Sequence, residues 1–245
     1  MILFNLAVPE LQNASMRKAL ASCIDISTFS HLLPAYAEVA TGLVPPVVES
    51  GGEVYREVTE DLPLVTDTEN ARALFRAACE ELGIETLKGT SLILPDFSDY
   101  ALSMSFVQKS WQDTLGVYIN REPLDRNTFY QRLRSGDFQI ALVPLVADEN
   151  TPASILGDFA SDSNENYSRY QNAEFDEMLA EAGLTDDDEV AFALFHEAEA
   201  LLVENAIAVP ITFETSYGAI ANDVGALSYS PFAGNIRFRD AWIGR

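Results

Sequence analysis

Three stretches of this chain repeat one order: a helix pattern, a glycine, then a strand. Residues 66–82 read as a helix with Thr66 or Asp67 as N-cap and Gly83 at its end, and SLILP (91–95) follows as a short apolar strand. Residues 98–115 read as a second helix, from Ser98 to the residue before Gly116, followed by the alternating strand VYINRE (117–122). Residues 125–135 form a third, from Asp125 to Gly136, ahead of the near-continuous apolar run FQIALVPLV (138–146). A strand that is apolar on both sides is buried on both faces. Crossover helices provide that cover, so the expected fold is α/β, with a mixed, mostly parallel sheet flanked by helices.

The rest of the chain is less regular. ILFNLAV reads as an opening strand, with a helix from about Ser15 to Thr28. Residues 34–64 carry Gly42, Pro45, Pro46, Gly51, Gly52 and Pro63 and read as a long loop excursion. Asn172–Ala182 and Asp186–Asn205 read as two helices, and AIAVPITFE (206–214) and YGAIA (217–221) as strands. There is no internal repeat.

Charge narrows the function classes. Lys and Arg number 15 against 38 Asp and Glu, a net charge of -23 over 245 residues, and such a surface repels phosphate, so nucleic acid is excluded as a partner. No run reaches the roughly 20 apolar residues of a spanning helix. Met1 leads straight into ILFNLAV without a basic leader. Cys23 and Cys79 sit in apolar helical patterns and read as buried thiols. With His31 and His196 the only histidines, no metal site and no cofactor is expected. Asp186, Asp187 and Asp188 open a helix, where their charge suits the macrodipole without a metal. Nucleophile-elbow, zincin, P-loop and dinucleotide motifs are all missing, and nothing argues for a catalytic residue.

The candidates for chemistry are few. Asp148 stands in VADENTP, after the most apolar strand, where α/β sheets place their ligands. Thr151 and Pro152 read as the start of a short helix, 152–159, whose N-terminus would keep that carboxylate ionised and suited to a ligand ammonium. Asp148 also reads as an ordinary turn residue beside Asn150. Tyr100, Met104, Val107, Trp111 and Leu115 share one helical face and read as core. His196 falls opposite a Val190, Leu194, Ala198, Leu201 face and reads as solvated. The loop NENYSRY (164–170) either lines a cleft or packs a turn.

Taken together, these segments resemble the extracytoplasmic solute-binding proteins of peptide and nickel ABC transporters, family 5. The likeness rests on FNLAVPELQNASMRKALASCIDISTF with Arg17, Ala19, Leu20, Ile24 and Asp25, on ATGLVPP (40–46), and on DTENARALFRAACEELG. It continues through SWQDTLGVYINRE, TFYQRLRSGDFQIAL, ADENTPASIL, NYSRYQNAEFDEMLAEA and LFHEAEALLVENAIAVPITFETS, in the family's order.

The resemblance implies one lobe of a two-lobed, type II periplasmic-binding-protein clamp, without catalytic activity, that holds a peptide or related small solute and delivers it to an ABC transporter permease. It implies that residues 1–205 are the second, C-terminal ligand-binding lobe and that 206–245 are a tail returning toward an N-terminal lobe not present here. The parent is then extracytoplasmic, as a periplasmic protein or cell-surface lipoprotein. Asp148 matches the family carboxylate that pairs with a peptide's α-amino group. Leu142 stands where oligopeptide binders carry an arginine, and Leu145 where they carry an aromatic, with Pro144 before it. Arg134 or Arg169 could supply the absent positive charge. Asn150, Leu145 and Tyr167 complete the candidate ligand-binding set. The same fold also serves nickel-chelate, haem or oligosaccharide ligands, or a sensor or interaction role without transport. A hydrolase would instead need two carboxylates roughly 5–9.5 Å apart in a cleft.

Overall fold

Two helices of the repeated pattern are opened by an Asp side chain, and all three end at a glycine. In the computed structural model, which describes residues 1–50, 52–96, 100–215, 219–229, 232 and 236–244, Asp67 accepts from the Asn70 amide at 3.0 Å and opens the helix Thr68–Leu82. Asp125 likewise accepts from the Asn127 and Thr128 amides and opens Arg126–Ser135. Such caps contribute about 1 kcal/mol each. Gly83 (φ 66°) and Gly136 (φ 74°) end these helices in the left-handed region that a side chain disfavours.

In chain order the elements are β1 (Ile2–Phe4), α1 (Pro9–Gln12), α2 (Ala14–Ser22), α3 (Ile26–Ser30), β2 (Ala37–Val39), β3 (Glu49–Ser50), β4 (Glu53–Val54) and α4 (Tyr55–Val58). Then come α5 (Thr68–Leu82), β5 (Ser91–Pro95), α6 (Ala101–Leu115), β6 (Asn120–Leu124), α7 (Arg126–Ser135), β7 (Ile140–Leu142), α8 (Ala153–Leu156) with a 3-10 turn at Gly157–Phe159, α9 (Ala173–Ala182) and α10 (Asp188–Glu204). The chain closes with β8 (Ala208–Val209), β9 (Thr212–Glu214), β10 (Val224–Gly225), β11 (Ser228–Tyr229), β12 (Ile236–Arg237) and β13 (Trp242–Ile243).

The central sheet has the order β6-β5-β7-β1-β8. β5 is parallel to β6 and β7, while β1 runs antiparallel to β7 and β8. Four strands therefore share one direction and β1 opposes them, giving the mixed, mostly parallel sheet expected. β8 is hydrogen-bonded into this sheet although it follows residue 205, the expected end of the lobe. Alternate residues of each strand feed two cores. Ile2, Phe4, Leu92, Leu94, Ile140 and Leu142 pack with Trp111 on one face. Leu3, Ile93 and Ala141 pack with Phe129, Phe175 and Phe195 on the other.

Several boundaries differ from the sequence expectation. The segment Ser15–Thr28 is two helices, because Asp25 caps α3 by accepting from the Ser27 and Thr28 amides at 3.1 Å. β6 starts at Asn120, where pairing with Ser91 begins, so Val117 and Ile119 are buried ahead of the strand. Its Pro123 is tolerated because β6 is an edge strand. FQIALVPLV yields only Ile140–Leu142, since Pro144 has no N–H to donate and the chain leaves the sheet there. Residues 219–221 form no strand, and Tyr217 and Gly218 of YGAIA lie outside the described residues, as does the expected helix start at Ser98.

Candidate functional site

All four co-directional strands point their carboxyl ends the same way, and a cleft of about 460 Å³ opens beyond β5, β7 and β8. Pro95, Leu142, Val143, Leu145 and Ile211 form its apolar walls, with Tyr100 and Glu214 among its polar ones. This is the position where α/β sheets bind ligands. β9 pairs with β2 along its margin, Val39 opposite Thr212 and Ala37 opposite Glu214.

A buried carboxylate organises another wall. Glu199, on α10, is fully buried and accepts from the Leu43 amide at 2.6 Å, the Val44 amide at 3.0 Å and the Tyr55 hydroxyl at 2.9 Å. The Arg56 guanidinium pairs with the same carboxylate. Burial and the neighbouring carboxylate push the Tyr55 hydroxyl well above its ordinary range, so it remains a donor. Gly42, Leu43, Pro45 and Val47 line the cleft from the loop that Glu199 fixes. The segment read as a loop excursion is thus anchored to the core.

The six candidate ligand residues do not converge. Leu145 lines the cleft. Asp148 is exposed just past it, its amide donating to the Ser154 hydroxyl at 2.8 Å. The Asn150 side-chain oxygen accepts from the Glu49 amide at 2.8 Å and so ties down the β3–β4 hairpin. Arg134, Tyr167 and Arg169 gather elsewhere, where the chain approaches the start of β7. Arg169 donates to the Arg134 carbonyl at 2.8 Å, and the buried Tyr167 hydroxyl donates to Glu165. None of the three lines the cleft. The NENYSRY loop packs a turn around the buried Asn166, which donates to the Phe159, Ala160 and Tyr170 carbonyls.

Other expectations resolve in the same way. The Tyr100–Trp111 stripe is core, with the Trp111 indole donating to the Leu20 carbonyl at 2.8 Å. Cys23 and Cys79 are buried free thiols, and burial pushes the Cys23 thiol up to about 12. His196 is half-buried rather than solvated, with its Nδ1 enclosed and lacking a partner among the described residues. The reason is that α10 buries Phe192, Phe195, Ala198, Glu199 and Leu202, a face rotated from the one expected. Among the described residues no group of three or more His, Cys, Asp or Glu could hold a metal ion, and no helix is long and apolar enough to cross a membrane.

The sequence reading missed Glu199 and Glu214. Glu199 could have been found as an acidic residue inside the apolar period of α10, and Glu214 as the first charge after the apolar run of β8 and β9. Met1 also reaches the cleft. Its ammonium donates to the Val143 carbonyl at 3.0 Å, and burial lowers its pKa to about 6, with Glu214 opposing the shift.

The profile of the bacterial extracellular solute-binding proteins, family 5 (middle region), matches residues 1–167. The chain belongs to this family. It is 26% identical over 216 residues to the dipeptide-binding protein DppE of Bacillus subtilis, covering 86% of this chain and 39% of that one. It is 24% identical over 237 residues to heme-binding protein A of Haemophilus influenzae, covering 94% of this chain and 42% of that one. A solved peptide-binding protein of a peptide ABC transporter superposes with a TM-score of 0.76 at 31% identity, covering 86% of this chain and 96% of that one. The substrate-binding domain of an oligopeptide ABC transporter from Bacillus anthracis shares the fold, at TM-score 0.82 and 20% identity. The chain spans about two-fifths of the length of the curated relatives named here.

Proposed function

We propose that this chain is the C-terminal part of the substrate-binding component of an ABC importer, and that a peptide occupies the cleft at the ends of β5, β7 and β8. The supporting observation is that cleft, in a family whose relatives include dipeptide- and oligopeptide-binding proteins. A first lobe would close over the ligand from the other side, and a membrane permease would receive it. Residues 206–245 then return toward that lobe, although β8 still belongs to the sheet of this one. The parent is taken to work outside the cytoplasm, in keeping with a family of extracellular solute-binding proteins.

A non-catalytic role is proposed from membership of a family of solute-binding proteins. Glu214 is the one carboxylate among the described lining residues, so the paired carboxylates a glycosidase needs are not gathered there.

Asp148 is proposed to pair with a ligand ammonium at the cleft's rim. Its exposure in this lobe is compatible with that role only when a second lobe removes the pair from water. Calorimetric titration of short peptides into the full-length parent and its Asp148→Ala variant tests this. At least a tenfold loss of affinity is expected, and unchanged affinity removes Asp148 from the site. Absence of any peptide binding by the unaltered parent removes the peptide reading.

A further inference from the structure

Glu214 ends β9 at the cleft wall, and its side chain is exposed to the cleft. Its Oε1 accepts from the Tyr100 hydroxyl, and Tyr100 is itself buried at the N-cap of α6, its ring packed into the core. Burial and the adjacent carboxylate push the Tyr100 hydroxyl above its ordinary range, so it stays protonated and holds Glu214 as a donor. The Thr212 hydroxyl stands 3.5 Å from the same phenol. No Lys or Arg side chain among the described residues pairs with Glu214. A carboxylate held by a fixed donor at the wall of a cleft attracts a cation more strongly than one free in bulk water.

We propose that Glu214 is a second cation anchor of this cleft, besides Asp148 at its rim, taking a protonated nitrogen of the ligand while Tyr100 holds its carboxylate in position. The proposal deepens the substrate-binding reading and rests on it. Tyr36, Phe213 and Phe232 also line the cleft, and their ring faces favour a cationic nitrogen over an anion. The shared chemistry is an ammonium or guanidinium, supplied either by a peptide's N-terminus or by a basic side chain.

The test uses the protein at the full length its gene encodes, unaltered and as Glu214→Gln. Glutamine keeps an acceptor for Tyr100, and matched thermal melts show that the variant folds. The probes are Ala-Ala-Ala, Ala-Lys-Ala, acetyl-Ala-Lys-Ala, the uncharged acetyl-Ala-Ala-Ala amide, and cadaverine as a non-peptide amine, each titrated by calorimetry. The expected result is at least a tenfold loss for cationic probes and less than a twofold change for the uncharged one. Persistence of that loss with acetyl-Ala-Lys-Ala assigns the nitrogen to the side chain, and its restriction to free N-termini assigns it to the α-ammonium. If no peptide binds but cadaverine binds with the same dependence on Glu214, the anchor stands and the peptide reading falls. If Glu214→Gln changes no probe by more than twofold, or no cationic probe binds, the anchor is overturned.

Discussion

The Arg56 guanidinium and the Glu199 carboxylate form an ion pair with both side chains nearly removed from water, at 5% and 0% exposure. Isolated, either charge would be costly at that depth. Here the pair is completed by the Leu43 and Val44 amides and the Tyr55 hydroxyl, and Arg56 donates to the Val44 carbonyl at 3.1 Å. The cluster joins α10 to the loop that forms one side of the cleft. Removing one partner leaves the other charge buried. Glu199→Leu is expected to cost about 3–5 kcal/mol in urea unfolding. The double variant Arg56→Met, Glu199→Leu should recover a substantial part of that loss. Additive costs in the two single variants would show that the charges are not coupled.

Gly42 faces the same pair. A Cβ there would fall onto the Arg56 guanidinium and within 2.6 Å of Glu199 Oε1. Gly42→Ala should destabilise the protein by about 1–3 kcal/mol through overpacking. It should also release the Leu43 and Val44 amides, which hydrogen exchange would register as faster exchange at those two positions. Protection unchanged from the unaltered protein would show that the pair shifts without disturbing the loop.

Asp158 supplies a pH dependence. Burial raises its carboxyl from 3.8 to about 6, with the fields of Glu165 and Asp148 adding to the effect. The folded state therefore binds its proton more tightly than the unfolded chain does. This group's contribution to stability is largest below pH 4, falls as pH rises to 6, and is lowest above that. Asp158→Asn should remove this slope and raise stability at pH 7 by about 1 kcal/mol, a figure reduced for solvent screening. Parallel stability curves between pH 4 and 6 for the two proteins would contradict the assignment.

The C-terminal hairpins present Ile236, Phe238, Trp242 and Ile243 to solvent. β10 pairs with β13 there, and the Trp242 ring sits where a Cβ on Gly225 would lie. Apolar groups clustered on a short segment favour association. Light scattering of the 245-residue chain is expected to show mass rising with concentration, and Phe238→Ser with Trp242→Ser to reduce that rise. A constant monomer mass across the series would contradict it.

Local signals in the sequence carried the fold a long way. The caps Asp67 and Asp125, the glycines that follow α5, α6 and α7, and SLILP as a strand are short-range features, and each lies where the pattern placed it. Strand ends were less legible, because a strand lasts only as long as its neighbour offers hydrogen bonds, and β7 loses that partner before Pro144. The site was legible only in position: past the apolar strands, near Leu145 and Asp148. Arg134 and Arg169 were read as possible charges for it, yet they precede β7 or sit beside its start, away from the cleft.

The sequence by itself determined the α/β class, the limits of the capped helices α5 and α7 and the direction in which most strands run, since capping, glycine conformation and apolar period act over a few residues. Only the tertiary structure decided which charges meet. Arg56 and Glu199, like Tyr100 and Glu214, lie more than a hundred residues apart along the chain. Packing brings each pair to one place, and no periodic pattern encodes a contact across that distance.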